Sequence, residues 1–492
     1  MFDACLTKIT MLILTPSSLS WRARIHWPNT ASFWTTLLSI VLIVIALTSY
    51  YWVLNQYAIN VPVSDDYQAT LQFLLDYEAN PARRFDLLLG QHNEHRIVVS
   101  RLLALLNYSL LGEANFRQLL LWQSLFLAGL LWAVLWFIRL CGVRLSPQRL
   151  LPLVLLLFSL NTWETYLFVS GGSQSYPALL GMTLTLISLH QLQRGNGWSQ
   201  VRWLGIGTAC AVIATFSFGC GALAWAGGLL LLLLHQRWYV CLVWLVSAAL
   251  IMIAYLHGYQ PTTLSQQPLT LLRDHGSVFV RFAVSFPGAS FQVPWTNPTL
   301  WQLNLAICYA IGLVSWGYFG YLTLSGYARR HPLVYTFIAL FFAVDLLIAF
   351  SRCRIGVNTA FNSRYQLLSA MITIGLYTTF LLRDVPTSRA VISFGRLGLL
   401  AVFCLTVYYQ PQQLALQHKQ KITGLISWLK HETATLYTSS ELQTSSGRIL
   451  KKCRARIYKP EPDLIALQAA INADLPRRYI SQSAPAHPAS RR

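Results

Sequence analysis

Three short clusters carry the residue types that move protons and hold phosphates. The first, Val61-Pro62-Val63-Ser64-Asp65-Asp66-Tyr67, sets two carboxylates side by side. Pro62 fixes an extended entry, and Ser64 or Asp65 suits the cap of a following helix, whose dipole would favour first-turn acids. The same pair fits a general base beside an acceptor hydroxyl, and repulsion between neighbouring carboxylates raises one pKa or attracts a cation. The second cluster, Gln91-His92-Asn93-Glu94-His95-Arg96, packs two imidazoles, a carboxylate and a guanidinium into five residues. Its histidines are three apart, which departs from the His-Glu-x-x-His zinc spacing. Asn93 as an N-cap with Glu94 in the first turn is one reading, and an active-site lining of His92, Glu94, His95 and Arg96 is the other. The third cluster is Ser351-Arg352-Cys353-Arg354 followed by Asn362-Ser363-Arg364-Tyr365. Arginine matches phosphate oxygens in a two-pronged geometry, and it also anchors lipid head groups.

Two single acids join these clusters. Glu164 closes Asn161-Thr162-Trp163-Glu164, and the Gly171-Gly172-Ser173-Gln174 stretch after it predicts a turn. Asp345 stands inside the apolar run Phe341-Phe342-Ala343-Val344-Asp345-Leu346-Leu347. A charge there is costly, and a pair with Arg352 on the same helical face would reduce the cost.

The elements that must position these residues are membrane spans. Of 492 residues, 55% are hydrophobic and 11% charged, and the mean hydropathy is +0.47. That composition excludes a soluble globular chain and a disordered one. The formal charge of +20 does not indicate nucleic-acid binding, because the bases are scattered among 17 Trp and long Leu runs. A lipid core admits about 20 apolar residues per helix and leaves no backbone group open. On that rule the chain is an all-α polytopic membrane protein with about eleven spans, near 32–54, 116–138, 150–168, 176–192, 203–218, 221–235, 238–257, 299–324, 332–350, 365–382 and 390–409. The fifth and sixth are separated only by Phe218-Gly219-Cys220-Gly221.

Orientation follows from Lys and Arg beside the spans. With a cytoplasmic N-terminus, the inner side holds fourteen bases against Asp3 and Asp384. The first span reads as an anchor, since no clean signal-peptide pattern precedes it. The chain thus divides into a cytoplasmic segment, 1–31, a membrane domain, 32–409, and an external basic tail, 410–492, with helical patterns near 417–431 and 462–472 and a disordered final dozen residues. The first external loop, 55–115, holds seven of the 17 acids. Tyr67, Leu71, Leu74 and Leu75 fall on one helical face there, as in a helix lying in the membrane interface. The nine cysteines suggest neither a disulfide framework nor a zinc site.

Asp65-Asp66-Tyr67 just after the first span, His92 to Arg96, and the late Arg354 with Ser363-Arg364-Tyr365 together make the chain resemble the C-type membrane glycosyltransferases. The likeness is to a bacterial group with an early Asp, a His-Asn-Glu-His-Arg motif and a late Ser-Arg-Tyr motif. It covers roughly residues 30–410, and Tyr67 stands where that group more often has Trp. The resemblance implies an inverting transfer of sugar from a polyprenyl-phosphate donor to a glycan, lipid or protein hydroxyl of the cell envelope, on the external face of a bacterial plasma membrane. Asp65 would be the base, with Asp66 secondary. Arg352, Arg354 and Arg364 would hold the donor phosphate, and His92, Glu94, His95, Arg96, Glu164 and Tyr365 would line the same cavity. No metal is obligatory on this reading, although a divalent cation near Asp65 and Glu94 fits it.

A lipid-linked sugar translocase or transporter is the alternative. Gly- and Pro-broken polar spans near the midplane would mark it, whereas here the polar residues gather at the external ends of Leu-rich spans. A non-catalytic assembly subunit is a third class, and it leaves the pairing of an acidic loop with an arginine loop without a reason.

Overall fold

The computed structural model describes residues 30–260, 268–295, 297–383, 386–431, 436–438, 442–454 and 456–460. These residues form helices joined by short turns, with a single two-stranded hairpin among them. Eight helices are long and apolar enough to cross a membrane: Phe33–Tyr57, Phe116–Leu140, Pro147–Leu167, Trp238–Leu256, Pro298–Leu324, Pro332–Arg352, Ser363–Leu382 and Ser388–Lys430. Their exposed faces carry side chains such as Leu38, Val44, Leu250, Ile253 and Val314, as a lipid-facing surface requires.

Eleven spans are expected from sequence and eight meet the length and apolarity requirement among the described residues. The other three expected spans coincide with helices Val169–Leu192, Trp198–Thr215 and Leu223–Leu234. The first of these is buried along most of its length, so neighbouring helices rather than lipid surround it. That position tolerates Ser173, Thr183 and Thr185, whose hydroxyls donate to carbonyls one turn earlier at 2.6, 2.8 and 2.8 Å. Gly181 lets it approach Trp198–Thr215 closely, since a Cβ at that position would lie 2.7 Å from the Cys210 carbonyl oxygen.

Four local expectations are corrected. Asn93 and Glu94 do not begin a helix. They form the two-residue turn of an antiparallel hairpin, Gln91–His92 with His95–Arg96, in which His92 faces His95 and Asn93 has a φ of 49°. The helix after it, Val98–Leu111, starts without a side-chain cap. Gly171 to Gln174 is likewise no turn but the first turns of Val169–Leu192. Glycine is needed there by contact, since a Cβ on Gly171 would lie 2.4 Å from the Glu164 carbonyl oxygen and one on Gly172 would lie 2.5 Å from the Gln123 amide.

The other two corrections concern the first loop. Tyr67–Gln72 is a π-helical segment leading into Phe73–Ala79, and neither Ser64 nor Asp65 caps it. Tyr67, Leu71 and Leu74 are buried within the protein. Helix Gln443–Cys453 packs on this segment, with the Cys453 thiol against the Leu71 carbonyl oxygen at 3.8 Å. The expected helix near 417–431 is the continuation of one rod, Pro386–His431, which runs through Pro411 without ending. The expected helix at 462–472 and the final dozen residues lie outside the described residues.

Asn60 ties both ends of the first loop to the tail. Its amide donates to the Lys459 carbonyl at 3.0 Å and its side-chain oxygen accepts from the Phe116 N–H at 2.8 Å. Its own carbonyl accepts from the Tyr458 hydroxyl at 2.6 Å. Ion pairs Arg456–Glu78 at 3.4 Å and Lys459–Glu113 at 3.8 Å lie over the same loop.

Candidate functional site

Helix ends and loops at one end of the bundle line a partly open cavity of about 100 Å³. Ser64 and Asp65 from the first loop, His92 to His95 from the hairpin, Glu164 from helix Trp163–Leu167, Phe168 at the junction, and Ser170 and Gly171 from the first turn of Val169–Leu192 form part of the wall. Gln174, Ser175, Phe218, Arg352, Arg364 and Tyr365 complete it.

The two arginines are held by acids distant in sequence. Arg352, in the last turn of Pro332–Arg352, donates to the Glu94 carboxylate at 3.2 Å and through its Nε to the Tyr365 hydroxyl at 3.1 Å. A two-residue turn therefore delivers Glu94 to the end of a span, and Tyr365 is the second jaw. Arg364 stands in the first turn of Ser363–Leu382, and both its Nε, at 3.3 Å, and its backbone N–H, at 3.1 Å, donate to one oxygen of Glu164. The Ser363 hydroxyl accepts from the Glu164 N–H at 3.0 Å. The Glu164 carboxylate thus sits at the positive end of that helix as well as against a guanidinium. The Arg352 and Arg364 side chains are partly solvent-accessible, at 24% and 44%. Each holds its acid through Nε or a single Nη, so further N–H groups are available to an anion.

The two neighbouring aspartates part company. Asp65 lines the cavity. Asp66 is buried, and its carboxylate accepts from the Ser170 N–H at 2.8 Å and the Val63 N–H at 3.3 Å. Burial pushes its carboxyl up to about 6, a shift that the hydrogen bonds from Ser170 and Val63 limit and the charge of Asp65 adds to. Ser64 has a φ of 50°, a sharp corner immediately before the two aspartates.

His92 and His95 both reach the cavity from the hairpin. Burial lowers the His92 pKa, and burial followed by the positive charge of Arg352 brings His95 down to about 4. His95 is therefore a neutral imidazole at neutral pH. Its ring lies edge-on to Phe218 with centroids 4.9 Å apart, and Gly219 approaches so closely that a Cβ there would lie 2.5 Å from Nδ1.

Besides Asp66, two more of the candidate residues take other places. Arg96 is buried and donates to the Tyr255 carbonyl at 2.6 Å and to the carbonyls of Leu89 and His257, which clamps the hairpin to the end of Trp238–Leu256. Arg354 is exposed in the turn beyond Arg352 and is outside the cavity wall. Asp345 is fully buried in its span, and Arg352, its expected partner, is instead held by Glu94 and Tyr365. Among the described residues no three His, Cys, Asp or Glu side chains are grouped to hold a metal ion.

Sequence reasoning passed over the residues that brace the wall. Gln123, buried in Phe116–Leu140, donates to the carbonyls of Thr165, Tyr166 and Phe168 at 3.3 to 3.4 Å and fixes the corner after Glu164. A Gln set between Trp122 and Ser124, a full turn inside a Leu- and Trp-rich span, was the available signal. Tyr437 in the tail accepts from the Ser64 N–H through its carbonyl at 3.2 Å, and no pattern in the sequence marks it. Compared with family models, curated proteins and solved structures, the chain matches none.

Proposed function

We propose that this membrane-embedded protein is an inverting glycosyltransferase that moves a sugar from a polyprenyl-phosphate donor to a hydroxyl of a cell-envelope acceptor. The observation that supports this most is the convergence of Asp65, the Glu94–Arg352 pair and the Glu164–Arg364 pair on one cavity at the ends of the spans. Asp65 takes the proton of the acceptor hydroxyl while the acceptor oxygen bonds to the anomeric carbon from the face opposite the phosphate. The bond between that carbon and the phosphate oxygen breaks, and the electron pair leaves with the polyprenyl phosphate. Arg352 and Arg364 meet the charge that gathers on the departing phosphate, as cations already fixed in place by their acids. Neutral His92 and His95, with Gln174 and Ser175, offer donors and acceptors to sugar hydroxyls, and Phe168 and Phe218 offer apolar faces.

A cavity at span ends suits a donor whose polyprenyl chain stays in lipid while its phosphate rises to the head-group level. The distribution of Lys and Arg supports a reading in which this end faces outward from a bacterial plasma membrane and the N-terminus inward. The test is transfer by the purified protein, in lipid nanodiscs, of labelled sugar from a set of polyprenyl-phosphate sugars to membrane-derived acceptors. Transfer that requires Asp65 supports the reading. Absence of transfer from every donor, together with flipping of lipid-linked sugar across the bilayer, would establish the translocase instead.

A further inference from the structure

Lys421 lies in the external half of the rod Pro386–His431, twelve residues beyond Tyr409, and is buried with 4% of its surface exposed. It is not part of the cavity wall. Its ammonium stands 4.7 Å from the ring centroid of Phe168, a wall residue, and 5.6 Å from that of Tyr437. The charged groups that act on it are Asp66 from the first loop and Glu164 from the Trp163–Leu167 helix, and His418 faces it from its own helix. Asp66 in turn faces Asp65 and Tyr67. A buried ammonium is tolerated only where opposite charge and aromatic faces replace water, and both are present.

What surrounds Lys421 is the back of the cavity. Asp66 holds the Ser170 N–H, and Glu164 holds Arg364 by two N–H groups. Tyr437, whose ring covers the ammonium, holds the Ser64 N–H next to Asp65. One cation thus stands behind three separate supports of the wall, and it comes from the tail rather than from the membrane domain expected to contain the site.

We infer that Lys421 is a positioning residue of this cavity, a buried charge packed behind Phe168 and Tyr437 whose field favours the ionised Asp66 and Glu164 carboxylates, the forms that hold the Ser170 N–H and Arg364. Asp66 illustrates why the charge matters. Burial already brings its carboxyl up to about 6, close to neutrality, and loss of a neighbouring cation would favour the protonated acid further.

The inference uses the proposed transfer reaction for one of its two readouts, and the other stands without it. Infrared absorption separates protonated carboxylic acids from ionised carboxylates. At pH 7, Lys421→Met should show one more protonated acid than the wild type, and Asp66→Asn/Lys421→Met should lack it. In the transfer assay, Lys421→Met should lose about tenfold in kcat/KM at pH 7 and recover much of it at about one pH unit higher, whereas Lys421→Arg should stay within about threefold of the wild type. A Lys421→Met spectrum identical to that of the wild type from pH 5 to 8, or a kcat/KM within about twofold, would overturn the inference. Should Lys421→Met fail to accumulate, Asp66→Asn/Lys421→Met decides: restored accumulation supports a charge relation between the two, and continued failure refutes it. A wild type that transfers no sugar refutes the proposed function, and the infrared result still stands.

Discussion

Arg352 and Glu94, joined at 3.2 Å, connect the end of one membrane span to the turn of a two-residue hairpin 258 positions earlier in the chain. Tyr365 takes the Arg352 Nε, so a guanidinium, a carboxylate and a phenol from three separate segments fix one another. The Glu164–Arg364 pair does the same across 200 positions. The cavity between the two pairs is therefore a product of tertiary structure, although the residues that line it come in short sequence clusters.

Asp65→Asn should abolish sugar transfer. Removing a general base costs about 10²- to 10⁴-fold. The protein should still insert, purify as a single species and unfold at the wild-type temperature, because Asp65 lies on the cavity wall while Asp66 makes the structural hydrogen bonds. Full activity in this variant, read as labelled product per hour, removes Asp65 from the mechanism.

Arg364→Ala should raise the KM for the lipid-linked donor by about tenfold or more, with thermal stability little changed, since surface-accessible ion pairs contribute little. Arg354→Ala should have a smaller effect, as Arg354 stands outside the wall. Equal effects of the two would mean that the cavity is not where the phosphate binds.

Gly219→Ala should reduce transfer by about 10- to 100-fold without unfolding the protein, because the added methyl must displace the His95 ring from a distance of 2.5 Å. Gly205→Ala is the control, with nothing within 4 Å of its would-be Cβ. Wild-type kinetics for Gly219→Ala would show that the orientation of His95 is immaterial.

His95 and Asp66 should respond to acid in opposite senses. The folded pKa of His95, about 4, lies below its ordinary 6.5, so its contribution to stability is full above 6.5 and is lost as the pH falls towards 4. Asp66 is raised from 3.8 to about 6, so its burial penalty is full above 6 and is relieved over the same descent. Each change amounts to about 3 kcal/mol. Between pH 6.5 and 4, His95→Gln should gain stability relative to the wild type and Asp66→Asn should lose it, measured by thermal unfolding in detergent at a series of pH values.

Leu450→Ala should destabilise the protein by about 2–5 kcal/mol, because Leu450 is fully buried in the tail helix that covers the first loop. The same variant should make the Tyr67–Phe73 segment more open to proteolysis. An unaffected unfolding temperature would mean that the tail is an appendage.

Much of the cavity was legible because polar residues at the ends of apolar spans are conspicuous. Asp65, His92, Glu94, His95, Glu164, Arg352, Arg364 and Tyr365 were all singled out by type and position, and all line one cavity. What misled was local pattern without tertiary context. Asn93-Glu94 has the chemistry of a helix cap, yet the left-handed Asn93 makes a hairpin turn. Tyr67, Leu71 and Leu74 have the spacing of a membrane-surface helix, and the chain covers that face with its own tail. Asp66 and Arg96 look like neighbours in function of Asp65 and His95, but a one-residue step along the chain points each into backbone groups. Lys421 was invisible, since one Lys among thirteen bases in a tail has no distinguishing context.

The long reach of the two acid–arginine pairs has a consequence for biosynthesis. Ribosomes deliver the chain from its N-terminus, so Glu94 and Glu164 enter the membrane well before Arg352 and Arg364 exist. Until the late helices arrive, Glu94 and Glu164 lack the arginines that pair with them, and the cavity lacks those two cations. The cavity wall is thus incomplete until the helices that carry Arg352 and Arg364 have been made.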